Sequence, residues 1–416
     1  MACYSGLDMG VPYMNESTAA PTTAALGMTL IVLLALLTAL DAMAIDMYLP
    51  GMPQIAADLG VSAGRIQQTL SVFLVGLAIG QALYGPLLDR FGRRLPLLLG
   101  VAIFALGSVA AALAPTVEWL LVARFVQALG AAAGLVAPRA IVADLCDVTE
   151  SSRIFSLLMQ IMMIAPILAP IMGGYLLGWG SWRLVFWVLA GLGVAGWLWG
   201  LRSLPDSLPV AQRVPLQVDG ILRAYGRQMR DPVFVLYTLA GGFILGSLFV
   251  YISASAVVFT THFKLDAMQF SYLFAANSVA LVLGGSICNL LLKRGGQTRH
   301  IMLLGIVAHG LSGLLLFALV QLGWASLMVY CSLLAVAVGS LGLIFGNLTA
   351  LTMNSAGRQL GVASALMGSL HYLFSAVVGY LVSLAAPGPA TLPLAIALCG
   401  VLTLGACLWA QRVALR

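Results

Sequence analysis

Twelve apolar runs, each long enough to cross a bilayer as a helix, leave this chain little choice of fold. A helical span needs about 20 predominantly apolar residues. Such runs fall near 26–49, 66–87, 95–113, 118–143, 153–178 and 182–201, and again near 233–259, 267–292, 300–320, 324–350, 359–385 and 391–411. Of the 416 residues, 61% are hydrophobic and only 8% are charged, where soluble domains carry about 25% charged residues. Too little polar surface remains to solvate a globule of this size. Membrane β-barrel strands alternate apolar and polar residues, and that pattern is missing from the sequence. The expected class is therefore an all-α integral membrane protein with twelve transmembrane helices.

One long polar segment interrupts the series. Residues 202–231 hold Arg202, Arg213, Arg223, Arg227 and Arg230 against Asp206, Asp219 and Asp231. They read as a linker between a six-helix unit at 26–201 and a second at 232–416. A weak repeat supports two pseudo-symmetric bundles. DVTESSRIFSLLMQIMMIAPILAPIMGGYL follows the fourth run and NSAGRQLGVASALMGSLHYLFSAVVGYL follows the tenth, and both end in Gly-Tyr-Leu. Transporters built from two such halves keep their substrate site at the midplane between them. Residues 1–25 are expected to form a disordered tail.

Basic residues set the orientation. With the N-terminus cytoplasmic, the inside loops and the C-terminus hold fifteen Lys and Arg residues, Arg358 and Arg416 among them. The outside loops then hold three, Arg65, Arg183 and Lys264. The positive-inside rule places both termini and the linker in the cytoplasm. The net charge of +6 is scattered between apolar spans, so it reads as loop topology and not as a nucleic-acid surface. The six cysteines show no metal-ligand spacing, and no metal or cofactor is expected. Neither HExxH, GxSxG nor a GxxxxGK(S/T) loop occurs, which disfavours an enzyme and a nucleotide-driven pump.

Against this apolar background, Asp41 and Asp46 stand inside the first run. Carboxylates at membrane depth are costly and mark ion or substrate pathways. Five residues turn a helix by about 500°, so the two acids point about 140° apart and form no tight dyad. Asp46 is favoured for the cavity. No Asp or Glu follows Asp266, so proton handling is expected in the first half and substrate shape in the second. Polar candidates within the later spans are Asn277, Asn289, His309, Asn347 and His371, with a proton relay considered for the two histidines.

Three further segments carry mechanism. The loop after the second run reads Gly85-Pro-Leu-Leu-Asp89-Arg90-Phe-Gly92-Arg93-Arg94. Gly85 is expected to allow close helix approach, Asp89 to pair or cap, and the arginines to anchor the loop. The fourth run holds Arg124, Gln127 and Gly130. Arg124 needs a counter-charge or a wet cavity at that depth, and a link to the helix-one carboxylates is inferred. Arg139 and Asp144, near the end of the same run, read as a gate salt bridge. The fifth run holds Pro166, Pro170, Gly173 and Gly174, where a bend and close packing are expected.

The loop motif resembles the signature of the major facilitator superfamily between its second and third helices. The Arg124 segment looks like the superfamily's helix-four motif, and the Pro170 segment resembles its helix-five antiporter motif, with Ala165 and Ala169 where glycines are usual. Ala44-Ile-Asp46-Met-Tyr48-Leu-Pro50 is similar to helix one of the Bcr/CflA drug resistance transporters. That resemblance implies a multi-pass protein of the bacterial inner membrane that exports drugs or amphipathic molecules against protons, a route to antibiotic resistance. It implies Asp46 as the titrating acid, with Asp41 outside the family pattern. Lipid, protons and a small-molecule substrate are the expected partners, and a monomer the expected state. Tyr48, Phe73, Tyr251, Asn277, Asn347 and His371 are candidate cavity residues. A narrow exporter or a proton symporter of one metabolite is the alternative.

Overall fold

The computed structural model describes residues 27–213, 218–356, 360–385 and 388–414. The tail at 1–25, Arg358 and Arg416 lie outside the described residues. The helices, in chain order, are α1 (Met28–Asp46), α2 (Met52–Asp58), α3 (Ala63–Phe91), α4 (Arg94–Ala112), α5 (Val117–Leu145), α6 (Val148–Trp179) and α7 (Arg183–Ser203). Then come α8 (Val218–Gln228), α9 (Pro232–Val257), α10 (Ala267–Lys293), α11 (Thr298–Gln321), α12 (Leu327–Ser355), α13 (Leu360–Ser383) and α14 (Thr391–Ala414). Among the described residues twelve spans are long and apolar enough to cross a membrane, with α1 and α2 sharing the first. No strand occurs among the described residues.

Apolar composition favours burial in lipid, and capping side chains set where several helices begin. The Ser62, Thr116 and Ser326 hydroxyls accept from the backbone N–H of Arg65, Trp119 and Val329. Asp147 and Asp231 do the same for α6 and α9, and Asp266 forms a capping box with Gln269 at the head of α10. Each cap satisfies donors that the first helical turn leaves free.

The spans depart from expectation in two places. The first run was expected to continue to Leu49, but α1 ends at Asp46 and a 3₁₀ turn at Leu49–Gly51 follows. Pro50 and Pro53 explain this, because proline donates no backbone N–H and restricts the residue before it. The linker also contains a helix, α8. Its Tyr225 packs against Phe234, Ala363 and Met367, which ties the linker to α9 and α13.

Two six-helix bundles result. In the first, α5 packs against α3 and α4, α4 against α7, and α1 against α5, α6 and α7. In the second, α9 packs against α13 and α14, and α12 against α10 and α11. The bundles meet along two seams, α3 on α13 and α6 on α10. On the first seam a Cβ at Gly379 would lie 3.0 Å from Ser71 Oγ, and one at Gly64 2.4 Å from the Ser383 carbonyl. One end of the molecule carries the arginine-rich loops. At the opposite, arginine-poor end the helix-one turn and α2 pack onto α9, and the turn also reaches α10. The space left between the bundles there is a cavity of about 20 Å³ bordered by Gly64, Gln67, Val257 and Val382, room for about one water.

Candidate functional site

The end of α1 places both acids at the boundary between the bundles. Asp41 is 3% exposed and Asp46 is 2% exposed, and each keeps an Oδ1 atom with no hydrogen-bond partner. Asp46 lies within electrostatic reach of Asp41, Tyr48 and Tyr251, while Asp41 lies within reach of Arg139 and Tyr372. No hydrogen bond joins the two acids. Each therefore faces its own set of neighbours, one toward α9 and one toward α13.

Arg124 is fully buried, and its partners differ from those expected. Its guanidinium carbon lies 4.2 Å from the centroid of the Phe73 ring, 4.6 Å from that of Tyr48 and 5.7 Å from that of Phe186. Its Nη1 donates to Gln127 Oε1 at 2.5 Å, and Gln127 Nε2 donates to Ser108 Oγ. Among the described residues no carboxylate ion-pairs with Arg124. Aromatic faces carry negative charge density and attract a desolvated cation. Tyr48 stands between the two charged groups. Its ring serves Arg124, its hydroxyl lies 3.2 Å from Thr69 Oγ1, and its electrostatic neighbours include Asp46. The direct Arg124–carboxylate link is replaced by this tyrosine, and Tyr48 and Phe73 wall in the arginine.

The helix-five motif shapes the same region from α6. A Cβ at Gly173 would fall 1.9 Å from the Met47 carbonyl, and one at Gly174 2.7 Å from Ser271 Oγ. Only glycine lets α6 approach the helix-one turn and α10 this closely. Pro170 has no N–H to offer the carbonyl of Pro166 one turn earlier. Ser278 Oγ, on α10, lies 3.3 Å from that carbonyl and 3.0 Å from the Phe274 carbonyl, its one proton shared between them.

At the arginine-rich end the loop motif forms a clamp. Arg93 donates to Asp89 at 2.7 Å and to Asp144 at 2.8 Å. Burial opposes the Arg93 charge, but the hydrogen bonds to Asp144 and Asp89 outweigh it and its pKa is raised. Gly92 has φ +85°, a conformation that glycine adopts without strain. Asp206 of the linker accepts from the Arg93 backbone N–H and pairs with Arg213, and Ser207 Oγ donates to Asp144. Arg94 donates to the Leu201 carbonyl, while Arg90 lies over Phe91 at 6.0 Å. The linker's share in the clamp carried no motif signal. Its only trace was an acid and a serine following the sixth span.

Two expectations about this end are corrected. Asp144 pairs with Arg93 and not with Arg139, because a separation of five residues points the two side chains about 140° apart on one helix. Arg139 is exposed. Gly85 has nothing within 4 Å of where a Cβ would stand, so no close approach depends on it here.

In the second bundle, Tyr251 is 2% exposed and Asn277 4% exposed, and the Tyr251 hydroxyl and Asn277 Nδ2 lack partners. The Tyr251 ring stacks on Phe274 at 5.2 Å and 13°. Asn347, by contrast, donates to the Leu343 carbonyl and to Cys288 Sγ, between α10 and α12. His371 presses against α9, where a Cβ at Gly241 would meet its Nε2 at 2.3 Å. His309 is committed to Ser247 Oγ and the Ala337 carbonyl, both at 2.9 Å. The structure thus brings Asp46, Tyr48, Tyr251 and Asn277 to one level and holds Asn347 and His309 within their own bundle.

Comparison with known proteins agrees with this architecture. A family model described as Major Facilitator Superfamily matches residues 34–380. The uncharacterized MFS-type transporter YdgK of Bacillus subtilis is 35% identical over 85% of this chain and 88% of its own length. The bicyclomycin resistance protein homolog of Haemophilus influenzae is 30% identical over the same shares of each chain. Multidrug resistance protein MdtL of Escherichia coli is 38% identical over 40% of this chain and 43% of its own. Among solved structures, a D-xylose–proton symporter superposes with TM-score 0.72 at 14% identity, covering 92% of this chain and 96% of the other. A peptide transporter, POT, reaches TM-score 0.73 at 14% identity, covering 92% and 94%. At that identity both speak for the fold alone.

Proposed function

The chain belongs to the major facilitator superfamily, and from that premise we propose that it is a proton-coupled antiporter exporting small amphipathic molecules by alternating access. It would work in a bacterial inner membrane with both termini cytoplasmic, so that the arginine-rich end faces the cytoplasm. The relatives named for bicyclomycin and multidrug resistance support an export role. The observation that carries the reading is the pair of buried carboxylates at the bundle boundary, each with one oxygen that lacks a hydrogen-bond partner.

A charge buried without a partner is costly, and taking up a proton removes that cost. The proposed cycle follows from this. A proton reaching Asp46 from the arginine-poor side neutralises the helix-one turn and lets the bundles close over it. Substrate entering from the arginine-rich side competes for the deprotonated acid. Asp41, within reach of exposed Arg139, stands on the route toward the cytoplasm. Arg124, caged by rings, keeps a fixed positive field behind Tyr48 and carries no proton itself. The small cavity at the arginine-poor end and the exposure of Arg139 support reading this as an inward-facing state. The loop clamp of Arg93 with Asp89 and Asp144 braces the cytoplasmic face of the first bundle.

The test is transport in proteoliposomes with an imposed pH gradient and bicyclomycin or ethidium as cargo. Addition of cargo should release protons from the wild-type protein and not from Asp46→Asn. Proton uptake together with cargo would instead identify a symporter. Full gradient-driven transport by Asp46→Asn would remove the assignment of that acid.

A further inference from the structure

We propose that Tyr251 and Asn277 of the second bundle, together with Asp46 of the first, form a subsite for a neutral hydroxyl or amide group on the transported molecule. The proposal rests on the transporter reading above and adds a substrate class to it.

Buried polar groups nearly always find a hydrogen-bond partner. Among the exceptions, three adjoin one another at the bundle boundary, and they come from three helices. Asp46 Oδ1, the Tyr251 hydroxyl and Asn277 Nδ2 are each without a partner, on residues no more than 4% exposed. Asn277 lies beside the Tyr251 hydroxyl at the edge of hydrogen-bonding range and Asp46 is its charged neighbour, yet neither the hydroxyl nor the amide nitrogen completes a hydrogen bond of good geometry. Stacking on Phe274 fixes the Tyr251 ring against α10, and Asn277 follows Phe274 by three residues, on the same helix face. The helix-one turn packs on both α9 and α10. The next residue, Ser278, has its hydroxyl occupied, and so have His309 and Asn347 elsewhere in the bundle. Other unsatisfied groups, such as Thr238 Oγ1 and Gln411 Nε2, stand apart within the second bundle, whereas these three adjoin one another where the bundles meet.

Their chemistry selects a ligand group. Asn277 Nδ2 only donates, the Asp46 carboxylate only accepts, and the Tyr251 hydroxyl does either. A group that meets all three must both give and take a hydrogen bond, as a hydroxyl or a secondary amide does. A quaternary cation gives none. A carboxylate would face Asp46, and Arg124, although its Nε and Nη2 lack hydrogen-bond partners, is enclosed by three rings and Gln127. A site with buried polar groups rejects a ligand that leaves them unpaired.

The experiment measures equilibrium binding to the purified full-length protein in detergent. The probes are radiolabelled chloramphenicol, which is neutral and carries hydroxyls and an amide, and tetraphenylphosphonium, a cation with no hydrogen-bonding group. Tyr251→Phe keeps the ring stack and removes only the hydroxyl, and Asn277→Leu keeps the volume. Each should raise the ratio of chloramphenicol Kd to tetraphenylphosphonium Kd by roughly tenfold or more, the effect of leaving one buried group unpaired. An unchanged ratio in Tyr251→Phe overturns the subsite, whether both probes weaken together or neither does. So does a wild-type protein that binds only tetraphenylphosphonium, or neither probe. If Asn277→Leu does not fold, Tyr251→Phe decides alone. A shifted ratio without proton release on cargo addition would sink the antiport reading and leave the subsite standing, and the converse result would do the reverse.

Discussion

The two bundles share a fold and divide the chemistry. The first holds both membrane-embedded acids, the caged Arg124 and four of the five ion pairs found among the described residues, the fifth lying within the linker. The second has no acid after Asp266, and its buried polar side chains are neutral amides, hydroxyls and imidazoles. Charge is costly to bury and rewards precise partners, so it concentrates where a rigid set of neighbours can be built. Neutral hydrogen bonds tolerate a changing ligand. On the proposed function, one bundle would couple energy and the other would recognise cargo.

Four variants would break or sharpen that division. The largest effect is expected from Asp46→Asn, which should abolish gradient-driven efflux in proteoliposomes, because an ionisable residue at membrane depth marks the ion pathway. Arg93→Ala comes next. Losing charged hydrogen bonds to Asp89 and Asp144 should cost about 2–3 kcal/mol, read as a lower thermal midpoint in detergent. Because the Arg93 pKa is raised, its contribution is present below the ordinary arginine value and is lost only as pH climbs through the raised one. The gap between wild type and variant should therefore stay level across the neutral range.

Smaller effects belong to the second bundle. His309→Leu removes the partner of Ser247 and of the Ala337 carbonyl and should cost about 1–2 kcal/mol of stability. Its efflux should keep the wild-type dependence on pH. A displaced pH profile would put proton handling in both bundles and end the contrast. Asn347→Leu should cost under about 1 kcal/mol, since it loses one ordinary hydrogen bond and a weak one to sulfur, and should leave cargo preference alone.

Much of this was legible in the sequence, because lipid forces apolar length and the spans follow from it. The helix-one break was hidden by composition. Tyr48, Leu49 and Pro50 continue the apolar run, and only the two prolines hinted at a stop. The partner of Arg124 was misjudged for a physical reason. A cation's need can be met by aromatic faces from the turn after α1, from α3 and from α7, and three rings on three separate segments leave no spacing pattern along the chain. Arg139 and Asp144 were paired on nearness in sequence, where helical geometry separates them. Asp206 and Ser207 entered the clamp from the linker, whose polar residues looked merely soluble.

Pro170 has a mechanical consequence. By withholding a donor from the Pro166 carbonyl, it leaves α6 with a socket, and Ser278 of α10 seats in it. A shift of α10 by one helical turn, about 5.4 Å, would unseat the hydroxyl and leave a buried carbonyl bare at a cost of about 1–3 kcal/mol. The seam therefore has a detent. In a cycle that moves this seam, the bundles would click between seated positions in place of sliding, and a proline, the residue that weakens a helix, would supply the notch.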